Sequence, residues 1–330
     1  MKPSINSLTA KSKYFCIGGA GFLILLAVVS LFVGKYPLSM EKLLSGDLMH
    51  WRVFLTLRCS RTLVGVMGGF VLGVAGFVYQ TVFRNPLASP DIVGVSSGAS
   101  AGAAVGILFF SGAAAVTLSA FTGALLAVIL ALLLSGLDKS GRHHTIILAG
   151  IAVHSMAQTI LMALKLAADP DQELAAIEYW IMGSLNGISL YAIGGNLLLS
   201  LVCIAALFLL HRHVVLLSSE EGEARMLGVS VTQLRLVILL ISTFAVSAVV
   251  SLTGLISFVG LLAPHGARLM MKNSRSNTML LSGLMGGILL CSADILARSV
   301  TATELPVSIF TSLIGAPVLV ALIVRGRRTP

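Results

Sequence analysis

Charge is what this chain has least of. Lys, Arg, Asp and Glu make up 11% of its 330 residues, against about 25% in an average soluble domain. Hydrophobic residues reach 57%, and the mean hydropathy is strongly positive. A water-soluble globule must cover itself with polar side chains and cannot hide that much apolar surface. A soluble enzyme, a disordered chain and a nucleic-acid-binding chain are therefore excluded. Cysteine is scarce too: Cys16, Cys59, Cys203 and Cys291 stand far apart with no Cys-x-x-Cys pair, which reads as thiols in the core. The catalytic signatures are also missing. No G-x-x-x-x-G-K-[ST] loop occurs, since Gly34-Lys35 is followed by Tyr36 and lacks the upstream glycine, so ATP is not held here in that way. No H-E-x-x-H and no G-x-S-x-G elbow occur. His143-His144 has no third ligand beside it and no metal site is expected.

What is present is a series of apolar runs. They fall at about 14–33, 62–80, 92–110, 113–136, 145–167, 191–210, 234–251, 253–270, 279–298 and 306–324. A helix crosses the hydrocarbon core in about 20 residues, so ten spans account for most of the chain. The runs are continuous rather than alternating, which disfavours a barrel. The expected fold class is an all-α membrane protein of about ten transmembrane helices, forming one transmembrane domain over residues 1–330. The first run lacks a small-x-small cleavage site and is read as a retained span. The eighth is the weakest, because Pro264, His265 and Arg268 crowd its end; it is expected to be short or broken. Residues 174–190 are read as an interfacial helix anchored by Tyr179 and Trp180. Most of the 22 Lys and Arg fall on one side if both termini are cytoplasmic. Spans two to five and seven to ten share an Arg-flanked start and a proline-broken stretch, a faint internal duplication.

Several polar groups stand out. Segment 81–98 carries Pro86, Pro90, Asn85 and Asp91, which end one helix and deny the loop a ladder. Segment 211–233 is the longest polar stretch on the inner side. There Ser218 or Ser219 is suited to cap a short helix opening with Glu220, Glu221 and Glu223, running through Ala224, Arg225 and Leu227, and closed by Gly228. Such a helix is a docking element; the alternative is a solvated loop with a nascent turn. In span five, His154, Gln158, Leu161 and Lys165 share one helical face. Either that face lines a polar route, or His154 and Gln158 bond neighbouring helices while Lys165 snorkels outward. Asp294 and Arg298 form an i, i+4 pair. Arg58, Arg61 and Arg298 lie at the outer ends of their spans, against the topogenic bias. They are expected to present their forks to an acidic partner or to headgroup phosphates.

The run Arg84-Asn85-Pro86-Leu87-Ala88-Ser89-Pro90-Asp91-Ile92-Val93-Gly94-Val95-Ser96-Ser97-Gly98-Ala99 resembles one family in particular. With Trp180–Leu185, Leu227-Gly228-Val229, Ile256–Leu261 before Pro264-His265, Asp294–Arg298, Glu304–Val307 and Gly315-Ala316-Pro317, in that order, the chain is similar to the permease subunits of bacterial ABC importers for ferric siderophores, haem and vitamin B12. The resemblance implies ten helices per subunit in the bacterial cytoplasmic membrane. It also implies a second permease (a copy or a paralogue), two ATPase subunits below and a solute-binding protein above. ATP and Mg would belong to the ATPases, and this chain would be no enzyme and bind no cofactor. Residues 218–231 would be the coupling segment; Arg58, Arg61 and Arg298 would receive acidic residues of the binding protein. His144 and Thr145 would lie at the cytoplasmic gate, with His154, Gln158 and Lys165 along the pathway. Ferric siderophore leads as the expected substrate, before haem and cobalamin. An ion-coupled secondary carrier, with His154, Lys165 and Asp294 as relay groups, is the rival from another class.

Overall fold

A computed structural model describes residues 5–137, 143–188, 190–218, 230–271, 276–300 and 303–326. Among them the chain is helical, with no strand. In chain order the helices are α1 (Ile5–Phe32), α2 (Met40–Leu44), α3 (Leu48–Val53), α4 (Ser60–Val82), α5 (Val95–Phe109), α6 (Ala113–Gly136), α7 (His143–Ala167), α8 (Glu173–Met182), α9 (Leu190–Leu209), α10 (His211–Leu216), α11 (Val231–Thr253), α12 (Val259–Met271), α13 (Ser276–Ser299) and α14 (Val307–Gly326). A π-helical turn, Phe54–Cys59, joins α3 to α4 without a break, so Leu48–Val82 is one rod of 35 residues.

Each of the ten apolar runs holds a helix. Among the described residues, six helical stretches are long and apolar enough to cross a membrane: Ser12–Phe32, Leu48–Val82, Ala113–Gly136, Thr145–Ala167, Val231–Thr253 and Ser276–Ser299. Val95–Phe109, Ile193–Leu209 and Val307–Ala321 are apolar but shorter. The eighth run is short, as its composition implied: α12 has 13 residues, about 20 Å at 1.5 Å per residue. Residues 254–258 are unwound, with Gly254 at φ +68° and Phe258 at φ +65°. A left-handed phenylalanine is costly, and its ring lies where a Cβ on Gly315 would sit. The interfacial helix is also shorter than read, because Gly183 at φ +70° ends α8 at Met182.

The chain forms two compact units. One comprises residues 1–77, 185–193 and 257–330; the other comprises 78–184 and 194–256. In the first, α13 packs against α1, α12 and α14. It also meets α4, where Gly69 lies against the Gly286 backbone and Gly73 against the Ser282 carbonyl. A Cβ at either glycine would overlap those backbone atoms. In the second unit α5 and α6 form a hairpin of the same kind, with Gly98 on Gly123 and Gly102 on the Ser119 carbonyl. Helices α7, α8 and α11 pack on that hairpin. Small residues at the seams suit a membrane, where lipid is as apolar as Leu and close van der Waals contact drives association.

Gly73→Ala is therefore expected to destabilise the protein by about 1–3 kcal/mol, the usual cost of overpacking. Gly18→Ala, with open space around its Cβ, should be neutral or slightly stabilising. Thermal unfolding midpoints in mild detergent check the pair; equal midpoints would refute the seam.

Candidate functional site

In the first unit, Lys35, Arg58, Arg61, Asp294, Arg298 and Glu304 come together. The segment after α1 folds back through small local bonds. Asp47 caps α3, accepting from the Met49 and His50 amides at 2.8 and 3.3 Å, and these bonds, His50 first, hold its carboxyl below the usual carboxylate range. Trp51 Nε1 donates to the Leu43 carbonyl at 2.9 Å, and the Tyr36 and His50 rings meet edge-on at 5.5 Å.

Behind this cover lies an ionic cluster centred on Asp294, which is 1% exposed. Arg61 Nε donates to its Oδ1 at 2.7 Å, and Arg298 Nη2 approaches its Oδ2 at 3.1 Å. Both carboxylate oxygens are thus engaged by guanidinium groups. Arg61 reaches further, from Nη1 to Glu304 Oε2 at 2.8 Å. Arg298 also donates to the Val33 carbonyl at 3.0 Å and to Ser30 Oγ, and Ser30 pairs with Thr62 Oγ1 at 2.7 Å. Arg58 makes no ion pair among the described residues. Its fork donates to the carbonyls of Val33 and, at 2.9 Å, Tyr36. Two guanidinium groups therefore share the Val33 carbonyl, just past the end of α1, where the helix end is negative and short of donors.

The expected i, i+4 pair of Asp294 and Arg298 is present, but the three arginines do not stand free at the surface. Arg58, Arg61 and Arg298 are 5%, 6% and 2% exposed. The physical reason is that a buried carboxylate and a row of helix-end carbonyls both need donors, and these side chains supply them. A cavity of about 170 Å³ opens beside them, lined by Lys35, Tyr36, Arg58, Arg61, Arg298 and Glu304 among others. Glu304 is the residue that sequence reasoning left without a role; its pairing with Arg61 crosses 243 residues, and no local spacing could signal it.

In the second unit, the span-five face divides. His154 is exposed and Gln158 half-buried, whereas Leu161 is buried in a core with Ala101, Ala104, Ala168 and Ile177. Lys165 pairs with Glu178 of α8 at 2.8 Å, so it pins α7 to α8. Thr145 is half-buried in the first turn of α7; the His144 side chain lies outside the described residues. Segment 81–98 is a built turn. Leu87 N donates to Asn85 Oδ1 at 2.9 Å, Ser96 Oγ donates to Asp91, and Gly94 at φ +90° opens α5. Arg84 Nε donates to the Leu217 carbonyl at 3.2 Å, fastening this turn to the end of α10. Of the coupling residues, Ser218 alone is described. Its hydroxyl donates to the Val215 carbonyl at 2.6 Å, at the close of α10. Ser219, Glu220, Glu221, Glu223, Ala224, Arg225, Leu227 and Gly228 lie outside the described residues.

Among the described residues no cluster of His, Cys, Asp and Glu is suited to hold a metal ion. Helices able to cross a membrane, with buried charges spent on locking them together, define a multi-pass membrane protein. Residues 22–325 match the FecCD transport family, and the chain belongs to it. It is 37% identical over 271 residues to the cobalamin import system permease protein of Halobacterium salinarum, covering 81% of this chain and 72% of that one. It is 36% identical over 327 residues to the hemin transport system permease protein of Yersinia pestis, covering 93% and 95%. A probable iron chelatin transport system permease protein of Helicobacter pylori is 32% identical, covering 92% and 96%. Among solved structures, a metal-chelate type ABC transporter in an inward-facing conformation superposes with a TM-score of 0.85 at 30% identity, covering 95% and 99%. The protein is an ABC importer permease of this family, in which ATP hydrolysis belongs to a separate subunit.

Asp294→Ala would leave Arg61 and Arg298 buried without their shared carboxylate. The expected cost is about 3–5 kcal/mol, read as loss of monodisperse protein or a large drop in detergent melting temperature. Lys165→Met, at a pair more than a quarter exposed on both sides, should cost no more than about 1 kcal/mol. Equal effects would show that burial of the Asp294 cluster does not matter.

Proposed function

We propose that this permease carries a ferric siderophore, or a similar iron chelate, from a solute-binding protein across the bacterial cytoplasmic membrane. The observation that carries the reading is the match along nearly the whole chain to a metal-chelate type transporter, joined by iron-chelate permeases among the relatives. The relatives named for cobalamin, hemin and molybdate make the chelate the quantity to measure.

In this reading ten spans cross the membrane with both termini cytoplasmic, and a second permease completes the pathway. Two ATPase subunits engage residues 218–231. The binding protein docks at the end that holds Arg58, Arg61 and Arg298, where cations outnumber carboxylates. His144 and Thr145 stand at the inner gate, and His154, Gln158 and Lys165 along the route. ATP binding closes the ATPases, displaces the coupling segments and shifts the bundle between inward and outward access. A large ligand needs a wide, weakly binding path, so selectivity rests with the binding protein. This chain itself binds no nucleotide or metal.

Mass spectrometry of the complex purified from native membranes should find a P-loop ATPase in equal stoichiometry. Deleting residues 221–227 should abolish that association, and retained assembly would remove the coupling role. Uptake into proteoliposomes with ⁵⁵Fe-siderophore, haem and labelled cobalamin should favour the first. ATP-independent uptake driven by an ion gradient would instead establish the secondary carrier. Arg58→Gln, at the arginine whose described partners are backbone carbonyls alone, should weaken binding-protein affinity about ten-fold while the complex stays assembled; unchanged affinity would end the docking assignment.

A further inference from the structure

The two carboxylates on Arg61 are not equivalent. Asp294 is held through both oxygens by two guanidinium groups and has 2% of its side chain exposed. It sits within α13 and cannot leave without stranding two buried cations. Glu304 is held by one ion pair, to Arg61 Nη1 at 2.8 Å, with 25% of its side chain exposed. It lies in the connection between α13 and α14, fastened there by the Leu305 amide on the Ala297 carbonyl at 3.2 Å. It also lines the 170 Å³ cavity that Arg58, Arg61, Arg298 and Lys35 share. At about 170 Å³ the cavity has room for a carboxylate-bearing side chain. Four cations and the Glu304 carboxylate line it, with Asp294 bonded to Arg61 and Arg298, a surplus of positive charge that favours a further carboxylate.

We propose that Glu304 is an internal placeholder. It occupies the terminal nitrogen of Arg61 that an acidic side chain of the docking protein takes on engagement, and by doing so it weakens the resting affinity. This rests on the docking reading above and adds a competitor to it. When the partner's carboxylate enters the cavity, Glu304 swings to its exposed side and Arg61 exchanges one charge-assisted hydrogen bond for another. Asp294 keeps Arg61 Nε throughout, so the guanidinium stays aimed while its outer nitrogen changes partner. The competition keeps the complex short-lived, which suits a binding protein that must leave after each delivery.

The test uses the intact permease–ATPase complex in lipid nanodiscs. The probe is the substrate-loaded solute-binding protein that co-purifies with it, and association and dissociation rates are read at 0.15 and 0.5 M salt. Glu304→Gln is expected to slow dissociation about three- to ten-fold, because a direct contact acts on the off-rate whereas a distant charge acts on the on-rate. The slowing should persist at 0.5 M salt and disappear when Arg61→Gln is added. Unchanged or faster dissociation would overturn the proposal, as would a gain confined to association that high salt removes. If Glu304→Gln fails to assemble, Glu304→Asp keeps the charge on a shorter arm and should slow dissociation by a smaller factor; an unchanged rate would again overturn it. Arg58→Gln, which leaves the ion pairs of Asp294 and Glu304 in place, separates the two ideas. If that variant binds like wild type, the docking reading fails. If it loses binding while the Glu304 variants behave like wild type, the placeholder alone fails.

Discussion

A carboxylate buried in a membrane protein has to be neutralised where it stands, and in this chain that requirement organises one end of the first unit. Asp294 is 1% exposed, and an isolated ionised group at such a depth is unfavourable by several kcal/mol even after relaxation. Arg61 and Arg298 answer it with one nitrogen each. They bring further demands, because a guanidinium has five N–H donors and no acceptor. Those donors reach Glu304, Ser30 and the Val33 carbonyl. One carboxylate on α13 thereby fixes the start of α4, the end of α1 and the link to α14.

Close backbone packing is the complementary constraint. In lipid there is no water to expel from between helices, so attraction must come from contact. Each unit meets this with glycines set against a neighbouring carbonyl: Gly69 and Gly73 between α4 and α13, Gly98 and Gly102 between α5 and α6. Such seams are rigid. The segments that depart from regular helix lie elsewhere, in the π-turn at Phe54–Cys59, the turn at 84–94 and the unwound 254–258. Irregular backbone at membrane depth is tolerated where protein covers it. The π-turn also carries Arg58, and insertions of this kind recur at functional sites.

Taken with the family, these features divide the labour within the molecule. The charged end of the first unit is suited to meet a partner, and the turn that Arg84 fastens to α10 adjoins the segment proposed to meet the ATPase. Neither region needs reactive chemistry. The ionic groups of the first unit hold its helices in register.

Much of this was legible in the sequence. The ten helix positions follow from apolar run length, because twenty successive apolar residues have few other solutions. The short eighth helix follows from Pro264, His265 and Arg268, and the Asp294–Arg298 pair from helical periodicity. Ordered motifs from Arg84 to Pro317 identified the family. The fates of the arginines and of Lys165 were not legible. An arginine near a helix end reads as exposed until the chain returns, 233 residues later, with a carboxylate for it. Lys165 reads either as a pathway group or as a snorkelling cation, and nothing in the sequence shows that Glu178 stands 2.8 Å away. Composition and periodicity are local, so the sequence by itself determined that this is a helical membrane protein, where its helices lie and to which family it belongs. Which charges are spent inside and which can face a partner was decided by tertiary structure alone, because the neutralisation of a buried charge depends on distances in space and not along the chain.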